Sequence, residues 1–218
     1  KRIKYDTQYP DSLIGLFQLN DVFALNANDH PELKELILFI QQWDRRANVE
    51  NVGAAQWSVY YKTLVKKADK YDLYGKGKLE DSIIIEALMD TKTYLLEHFD
   101  RLNITLSEQQ VHARGEKEIP VPGLVDMIAA MSTAPYEDGK VKAVSGESYI
   151  MLARYSANGV ELETILPYGQ SCNINSPYFT DQMECYVSQS LKPMVLDKQT
   201  NYENALKIYH PRGKKQHF

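Results

Sequence analysis

Residues 150–166 read IMLARYSANGVELETIL, and this stretch predicts two antiparallel strands joined by a tight turn. Asn158 and Gly159 in its middle favour a two-residue type I′ turn, because both residue types accept the positive φ angles that this turn requires. A turn at these two positions pairs Arg154 with Glu163. The sequence therefore predicts a β-hairpin with Tyr155 opposite Leu162.

One face of this hairpin is apolar along most of its length, and we expect it to face the core. It consists of Met151, Ala153, Tyr155, Leu162, Thr164 and Leu166. The opposite face is apolar only far from the turn, at Ile150, Leu152 and Ile165, and is polar near the turn. A second layer is therefore expected over the inner half of that face only.

The rest of the chain divides into a helical half and a strand half. Apolar residues at three- and four-residue spacing predict helices from Leu33 to about Trp43, over 52–67 and over 79–99. Runs and alternation predict strands at 124–131, 141–155 and 160–166.

These elements predict an α+β fold in which helices and strands share one core. We expect residues 1–112 to be mainly helical, 113–195 to form antiparallel strands with a closing loop or helix, and 196–218 to form a tail. The only candidate boundaries are the loop at 75–78 and the segment 116–123. Residues 1–218 are therefore interpreted as one unit without a linker.

Composition excludes several classes of protein. With 44% hydrophobic and 25% charged residues, the 218-residue chain is neither disordered nor collagen-like. Its net charge of −4 offers no general attraction for nucleic acid. No apolar run approaches the roughly 20 residues of a membrane span. We therefore expect neither nucleic acid nor a membrane among its partners.

The isolated chemical motifs are incomplete. Ser148 and Ser171 each follow a G-x-S pattern, but neither has the final glycine of a nucleophile elbow. No two of the five histidines have the spacing of metal ligands. The histidines are His30, His98, His112, His210 and His217. The acids Asp69, Asp72, Glu80 and Asp81 lack calcium-loop spacing, and the glycines at 75–78 lack a dinucleotide fingerprint. We accordingly assign no catalytic, cofactor-binding or metal-binding residue and expect no cofactor.

Two further signals leave alternatives open. Cys172 and Cys185 are the only cysteines, and they would form a disulfide in an oxidising compartment or remain thiols otherwise. Asn103 lies in a glycosylation sequon, which matters only in a secreted eukaryotic protein.

Longer segments resemble the C-terminal part of the penicillin acylase family, including its acyl-homoserine lactone acylase branch. Three blocks carry the resemblance: WDRRA at 43–47 with VGAA at 52–55, IPVPG at 119–123, and GESY at 146–149 followed by LPYGQS at 166–171 and NSPYFTDQ at 175–182. The resemblance covers most of residues 30–195. Phe179 departs from the family pattern, which usually has a His-Tyr pair there.

The resemblance implies an N-terminal nucleophile hydrolase with a layered αββα fold, in which a new N-terminal serine attacks an amide. Lys1 does not supply this chemistry, and the family's nucleophile and oxyanion residues lie before the matched blocks. We therefore expect a C-terminal fragment, inactive alone, of an amide hydrolase that releases an acyl chain from an amine such as a β-lactam nucleus or homoserine lactone.

The same resemblance implies partners and a location. The expected partners are the remainder of the precursor, namely the small subunit and the N-terminal part of the large subunit, and an acyl-amide small molecule. Bare apolar faces predict oligomers, and the family implies a periplasmic or secreted protein. The alternative is a non-catalytic binding or scaffold module with the same fold.

We interpret the matched polar residues as structural anchors. Asp44 and Arg45 are expected to pair at a helix end, and Asp181 is expected to cap or anchor the segment 176–182. Gln170 and Ser171 are expected to satisfy backbone groups where a strand leaves the sheet.

Overall fold

The computed structural model describes residues 20–68, 79–125, 127 and 129–208. Seven α-helices lie in this part of the chain: α1 (Asn20–Ala24), α2 (Lys34–Gln41), α3 (Val52–Lys67), α4 (Asp81–Phe99), α5 (Leu106–Gln109), α6 (Met183–Val187) and α7 (Lys198–Glu203). The helices predicted in the first half correspond to α2, α3 and α4. Their dominance before residue 110 confirms the helical first half.

Seven strands form two sheets in the same described ranges: β1 (Gln110–Arg114), β2 (Lys117–Pro120), β3 (Met131–Pro135), β4 (Val141–Gly146), β5 (Ile150–Ser156), β6 (Gly159–Ile165) and β7 (Lys192–Met194). The first sheet has the order β2-β1-β4-β3 and the second the order β5-β6-β7. The fold is α+β, as predicted.

Three strand-half predictions are wrong. β1 and β4 pair in parallel, so the first sheet is mixed rather than antiparallel. The segment 124–131 contributes only the start of β3, and Leu124 forms an isolated bridge with Ala130. The continuous strand predicted over 141–155 is interrupted at 147–149. The segment 196–218, which was expected to form a tail, contains helix α7 at 198–203.

The core is divided into two clusters, so the prediction of one shared core is wrong. The larger cluster joins the helices and includes the fully buried Leu36, Trp57 and Ile84. The smaller cluster lies among the strands and α6, where Ile165 and Tyr186 pack with Val121. The helix layer alone therefore buries most of the large apolar side chains of the described residues.

The 43–55 block forms a tight corner between α2 and α3. A Cβ atom on Gly53 would lie 2.3 Å from the Trp43 Cβ, so the close approach of these two residues requires glycine. Trp43 Nε1 donates to the Arg46 carbonyl at 2.8 Å, and Asn51 caps α3 by accepting from the Ala54 N–H at 3.1 Å. The motif is thus a packing constraint on the helix pair.

The predicted pairing of Asp44 with Arg45 is wrong. Asp44 accepts from the Arg46 N–H at 3.0 Å and from Asn51 Nδ2 at 2.8 Å, and its carboxylate lies 3.8 Å from Arg46 Nε. Arg45 has a φ of 62°, and its guanidinium lies over the Phe23 ring. The positive φ turns Arg45 away from the carboxylate that its neighbour binds.

The hairpin exists, but its predicted register is wrong by two residues. Ser156 pairs with Gly159, and Arg154 pairs with Glu161 at 2.9 Å, so the loop consists of residues 157 and 158. Ser156 Oγ accepts from the Asn158 N–H at 3.2 Å and donates to the Gly159 carbonyl at 3.3 Å. These bonds close the turn one residue earlier than an Asn-Gly type I′ turn.

The predicted core face of the hairpin is also wrong. A shift of two residues keeps each side chain on its expected face, yet Met151 and Tyr155 are exposed. Ile165 on the opposite face is buried, and Ile150 and Leu152 pack beside it in the smaller cluster. The inner half of that face is covered, as expected, while the predicted core face is exposed along β5 and is buried only at Thr164 on β6.

We predict that Gly159→Val destabilises the protein by about 1–2 kcal/mol, because a φ of 118° disfavours every residue with a Cβ atom. No atom lies within 4 Å of the added Cβ, so the loss reports backbone strain alone. Arg154→Ala should cost less, about 0.2–1 kcal/mol, because its ion pair is exposed. Urea unfolding of both variants measures the ranking, and an equal loss would contradict it.

Candidate functional site

Strand β1 bonds directly to the second and third sequence blocks and, through Gly123, indirectly to the first. Side chains alternate between the two faces of a strand, so Gln110, His112 and Arg114 lie on one face. Each of the three donates a side-chain hydrogen bond to a backbone carbonyl of another segment. We call these three residues the donor row.

Gln110 holds the 119–123 block. Its Nε2 donates to the Val121 carbonyl at 3.0 Å and to the Gly123 carbonyl at 2.7 Å, and the side chain is buried. The Gly123 N–H in turn donates to the Ala47 carbonyl at 3.0 Å. Gln110 thereby joins β1 to the second block and, through one further bond, to the helix corner.

His112 holds the start of the third block. Its Nε2 lies 2.6 Å from the Pro167 carbonyl oxygen. A carbonyl only accepts, so Nε2 carries the proton and Nδ1 carries the lone pair. The ring packs between Tyr168 and Tyr186, at centroid distances of 4.8 and 5.9 Å.

The surroundings of His112 favour its neutral form. Burial lowers the pKa of the imidazole, the nearby Arg114 charge lowers it further, and the bond to Pro167 opposes both effects. Only 2% of the residue is exposed. His112 is therefore an uncharged donor that anchors a loop.

Arg114 holds the remainder of the third block. Its guanidinium lies between the rings of Tyr168 and Phe179, 4.7 and 4.2 Å from their centroids. One guanidinium nitrogen donates to the Ser171 carbonyl at 3.0 Å. Phe179, where the sequence departs from the family's His-Tyr pattern, thus supplies a stacking surface for a cation.

The loop 166–182 also bonds to itself. Gln182 donates its backbone N–H to the Tyr168 carbonyl at 2.9 Å and accepts the Leu166 N–H on Oε1 at 3.1 Å. Ser171 accepts the Asn173 N–H at 3.1 Å, as its predicted anchoring role requires. The side chains of Asp181 and Gln170 make no hydrogen bond to the described residues, so their predicted anchoring roles are wrong. Gln182 performs the role expected of Asp181.

Neither G-x-S serine hydrogen-bonds to a histidine in the described ranges. Ser148 is exposed, and Ser171 accepts from a backbone N–H. Glu147, beside Ser148, accepts from the Ala130 N–H at 2.7 Å and from the Tyr186 hydroxyl at 3.4 Å. The GESY segment therefore connects β4 to α6 and to the 124–131 segment.

The other predicted polar residues are scattered. Within 20–68, 79–125, 127 and 129–208, no three His, Cys, Asp or Glu side chains are grouped so as to hold a metal ion. Cys172 and Cys185 are free and exposed. Asp69, Asp72, His210, His217 and the loop at 75–78 lie outside the described residues.

The family model for penicillin amidase matches residues 13–202 of the chain. The chain belongs to the penicillin amidase family. The resemblance found in the sequence is thereby confirmed, and the three blocks joined by the donor row all lie within the matched region.

The chain is similar to acyl-homoserine lactone acylases named PvdQ. It is 24% identical over 172 residues to that of Pseudomonas fluorescens strain Pf0-1, which covers 71% of this chain and 22% of that protein. The PvdQ acylase of Pseudomonas savastanoi pv. phaseolicola strain 1448A is 31% identical to this chain over 80 residues. That alignment covers 35% of this chain and 10% of the acylase. The chain thus spans about a fifth or less of these relatives.

Alignment with a thermostable penicillin G acylase from Alcaligenes faecalis covers 95% of this chain and 39% of that chain, with 16% identity and a TM-score of 0.31. Among the described residues, none of the helices is both long and apolar enough to cross a bilayer.

None of the motifs recognised in the sequence includes Gln110 or Arg114. Both are polar residues at alternate positions of a short strand that also carries His112, and this alternation was the available signal. Their partners are backbone carbonyls 11 to 57 residues away, which no local pattern identifies.

We predict that the protein loses stability as the pH falls below about 6.5, and that His112→Gln reduces this loss. The pKa of His112 is lowered in the folded state, so the unfolded chain binds the extra proton and acid favours unfolding. The limiting effect is about 1.4 kcal/mol per pH unit. Urea unfolding between pH 7.5 and 5 measures it. Glutamine retains a donor for Pro167, and identical pH profiles would contradict the prediction.

We predict that Arg114→Lys loosens the loop 166–182 without unfolding the protein. Lysine keeps the charge but loses the planar surface that stacks between two rings, a loss of about 1 kcal/mol or more. Hydrogen exchange of the Ser171 and Gln182 amides should accelerate roughly fivefold or more. Arg154→Lys in the exposed hairpin is the matched control and should leave these amides unchanged; equal acceleration in both variants would refute the assignment.

Proposed function

We propose that this chain is the C-terminal portion of an acylase that hydrolyses a linear amide and releases an acyl chain from an amine such as a β-lactam nucleus or a homoserine lactone. The observation that carries the proposal is the penicillin amidase match over residues 13–202. The named relatives, which are acyl-homoserine lactone acylases, support the acyl-amine chemistry. The share of those relatives that the chain spans supports its being a portion.

The nucleophile of this proposed enzyme lies outside the chain. An N-terminal nucleophile needs a hydroxyl beside a free α-amine, with oxyanion donors held near the attacked carbonyl. Ser148 and Ser171 lack a histidine partner among the described residues, and Ser171 is bonded within its loop. The donor-row side chains donate their hydrogen bonds to backbone carbonyls of this chain, so we do not propose them as oxyanion donors.

The role we propose for the chain is therefore to frame a catalytic site that other segments complete. The remainder of the precursor, namely the small subunit and the N-terminal part of the large subunit, is its proposed partner in a layered αββα fold. The open hairpin face with Met151 and Tyr155 is available for such a contact or for association between copies. We propose a periplasmic or secreted location on the family resemblance.

The complete gene product that contains the chain tests this function. We expect it to release free amine from phenylacetyl amides or from N-acyl-homoserine lactones, and to yield two subunits on denaturing gels. Ser148→Ala and Ser171→Ala should retain activity within about twofold, because neither serine has a base to activate it. The new N-terminal residue of the large subunit, found by sequencing, should be a serine, threonine or cysteine.

Two outcomes would contradict the proposal. Loss of turnover in Ser148→Ala or Ser171→Ala, with folding retained, would place the nucleophile in this chain. Absence of both processing and amide hydrolysis would favour the non-catalytic binding or scaffold module. Substitution of the newly exposed N-terminal nucleophile by alanine is the matched positive control, and it should abolish turnover.

A further inference from the structure

A cavity of about 350 Å³ lies where α3 and α4 face the edge of the first sheet. Its walls are mainly apolar and include Val59, Val65, Pro135 and Val141. This volume is near the lower end of the range for small-molecule sites, about 300–1,000 Å³. The cavity is thus large enough for one ring or a short alkyl chain with a polar head.

Lys62 places a positive charge at this cavity. Its ammonium donates to Thr133 Oγ1 at 2.5 Å, and Lys66 lines the same cavity one turn further along α3. The cavity lining contains no acidic side chain, and no carboxylate of the described residues lies within ion-pair distance of Lys62. The cavity therefore has positive charge without a counter-charge.

The neighbouring Lys67 shows the contrast. It lies on the same helix, and its ammonium is 2.9 Å from Asp90 and 3.5 Å from Glu86. These contacts raise the pKa of Lys67, whereas burial and the Lys66 charge lower the pKa of Lys62 to about 8. An anion beside Lys62 would supply the counter-charge that Lys67 obtains from acidic residues.

Gln109 provides a polar group without a hydrogen-bond partner at the same cavity. The residue lines the cavity and is only 1% exposed. Neither its carboxamide oxygen nor its nitrogen has a hydrogen-bond partner among the described residues. Buried amide groups are normally paired, so the unpaired Nε2 of this side chain indicates a ligand that offers a hydrogen-bond acceptor.

We propose that this cavity binds a small carboxylate with an apolar body. The carboxylate oxygens would accept hydrogen bonds from Lys62 Nζ and Gln109 Nε2, and the apolar body would pack against the valine and proline walls. A carboxylate suits the site better than a phosphate because the lining is largely apolar and offers a single buried cation. None of the three donor-row residues lines this cavity, and the proposal does not rest on the proposed acylase function.

The first test is calorimetric titration of the complete gene product with benzoate and with hexanoate. Benzyl alcohol and hexanol are the matched uncharged probes. We expect at least one carboxylate to bind about tenfold or more tightly than its alcohol, because a hydrogen bond to a charged group contributes at that level. No saturable binding of either acid, or equal binding of acid and alcohol, would overturn the proposal.

Variants locate the binding. Lys62→Met and Gln109→Leu should each weaken carboxylate binding, the former about tenfold or more. Lys67→Met, on the same helix but outside the cavity, is the matched control and should bind like the unaltered protein. Equal weakening in Lys62→Met and Lys67→Met would overturn the assignment.

A further measurement needs no variant and so does not depend on variant folding. Reductive methylation mapped by mass spectrometry should modify Lys62, and saturating benzoate or hexanoate should protect it while Lys67 stays reactive. Unprotected Lys62 would refute the site. Lys62 that never reacts, with no acid bound, would show that another segment of the gene product occupies the cavity and would overturn the small-ligand proposal. None of these readouts uses amide turnover, so their failure is distinguishable from failure of the proposed function.

Discussion

The need to satisfy buried backbone carbonyls organises this structure around strand β1. A buried carbonyl without a donor costs free energy comparable to a lost hydrogen bond. Segments 121–123 and 166–182 are irregular, so they cannot pair all such groups within a regular ladder. The donor row supplies the missing donors, with Gln110 serving the first segment and His112 and Arg114 the second. Three side chains on one strand face thus determine the course of two long connections.

This arrangement explains how the divided core remains connected. The helices bury most large apolar groups in one cluster, whereas the strand cluster around Ile165 and Tyr186 is small. The small cluster has limited apolar area with which to hold the second sheet in place. Polar contacts help to hold the second sheet in place. His112 bonds to the carbonyl of Pro167, just after β6, and Glu147, just before β5, contacts both the 124–131 segment and α6.

Local signals predicted what depends on local physics. The helix at 52–67 was predicted with its observed bounds, because apolar spacing and terminal lysines both act within the helix. The predicted hairpin register differs from the observed one by two residues. Ser156 closes the turn at 157–158, and within the hairpin Gly159 alone has a positive φ, where a type I′ turn at 158–159 would need two. Its covered face depends on partners such as Tyr186 that lie far along the chain. The parallel pairing of β1 with β4 has the same origin, since non-local contacts leave no periodic pattern.

Hydrogen-bond partners distinguish the residues that hold the fold together from those of the candidate binding site. Polar groups of the recognisable blocks, such as Trp43 Nε1 and the Glu147 carboxylate, have internal partners that explain their chemistry without a ligand. Lys62 and Gln109 lie outside those blocks, yet they combine burial with a missing counter-charge and a missing hydrogen-bond partner. A polar group that the fold has already satisfied contributes positioning, because binding a ligand would require it to give up an existing bond. A polar group left unsatisfied gains a bond on binding. The motif loop also holds one such buried atom, Gln182 Nε2. At the helix–sheet cavity an unpaired group lines an apolar volume beside a cation without a counter-charge, and that combination disposes the cavity to hold a small molecule.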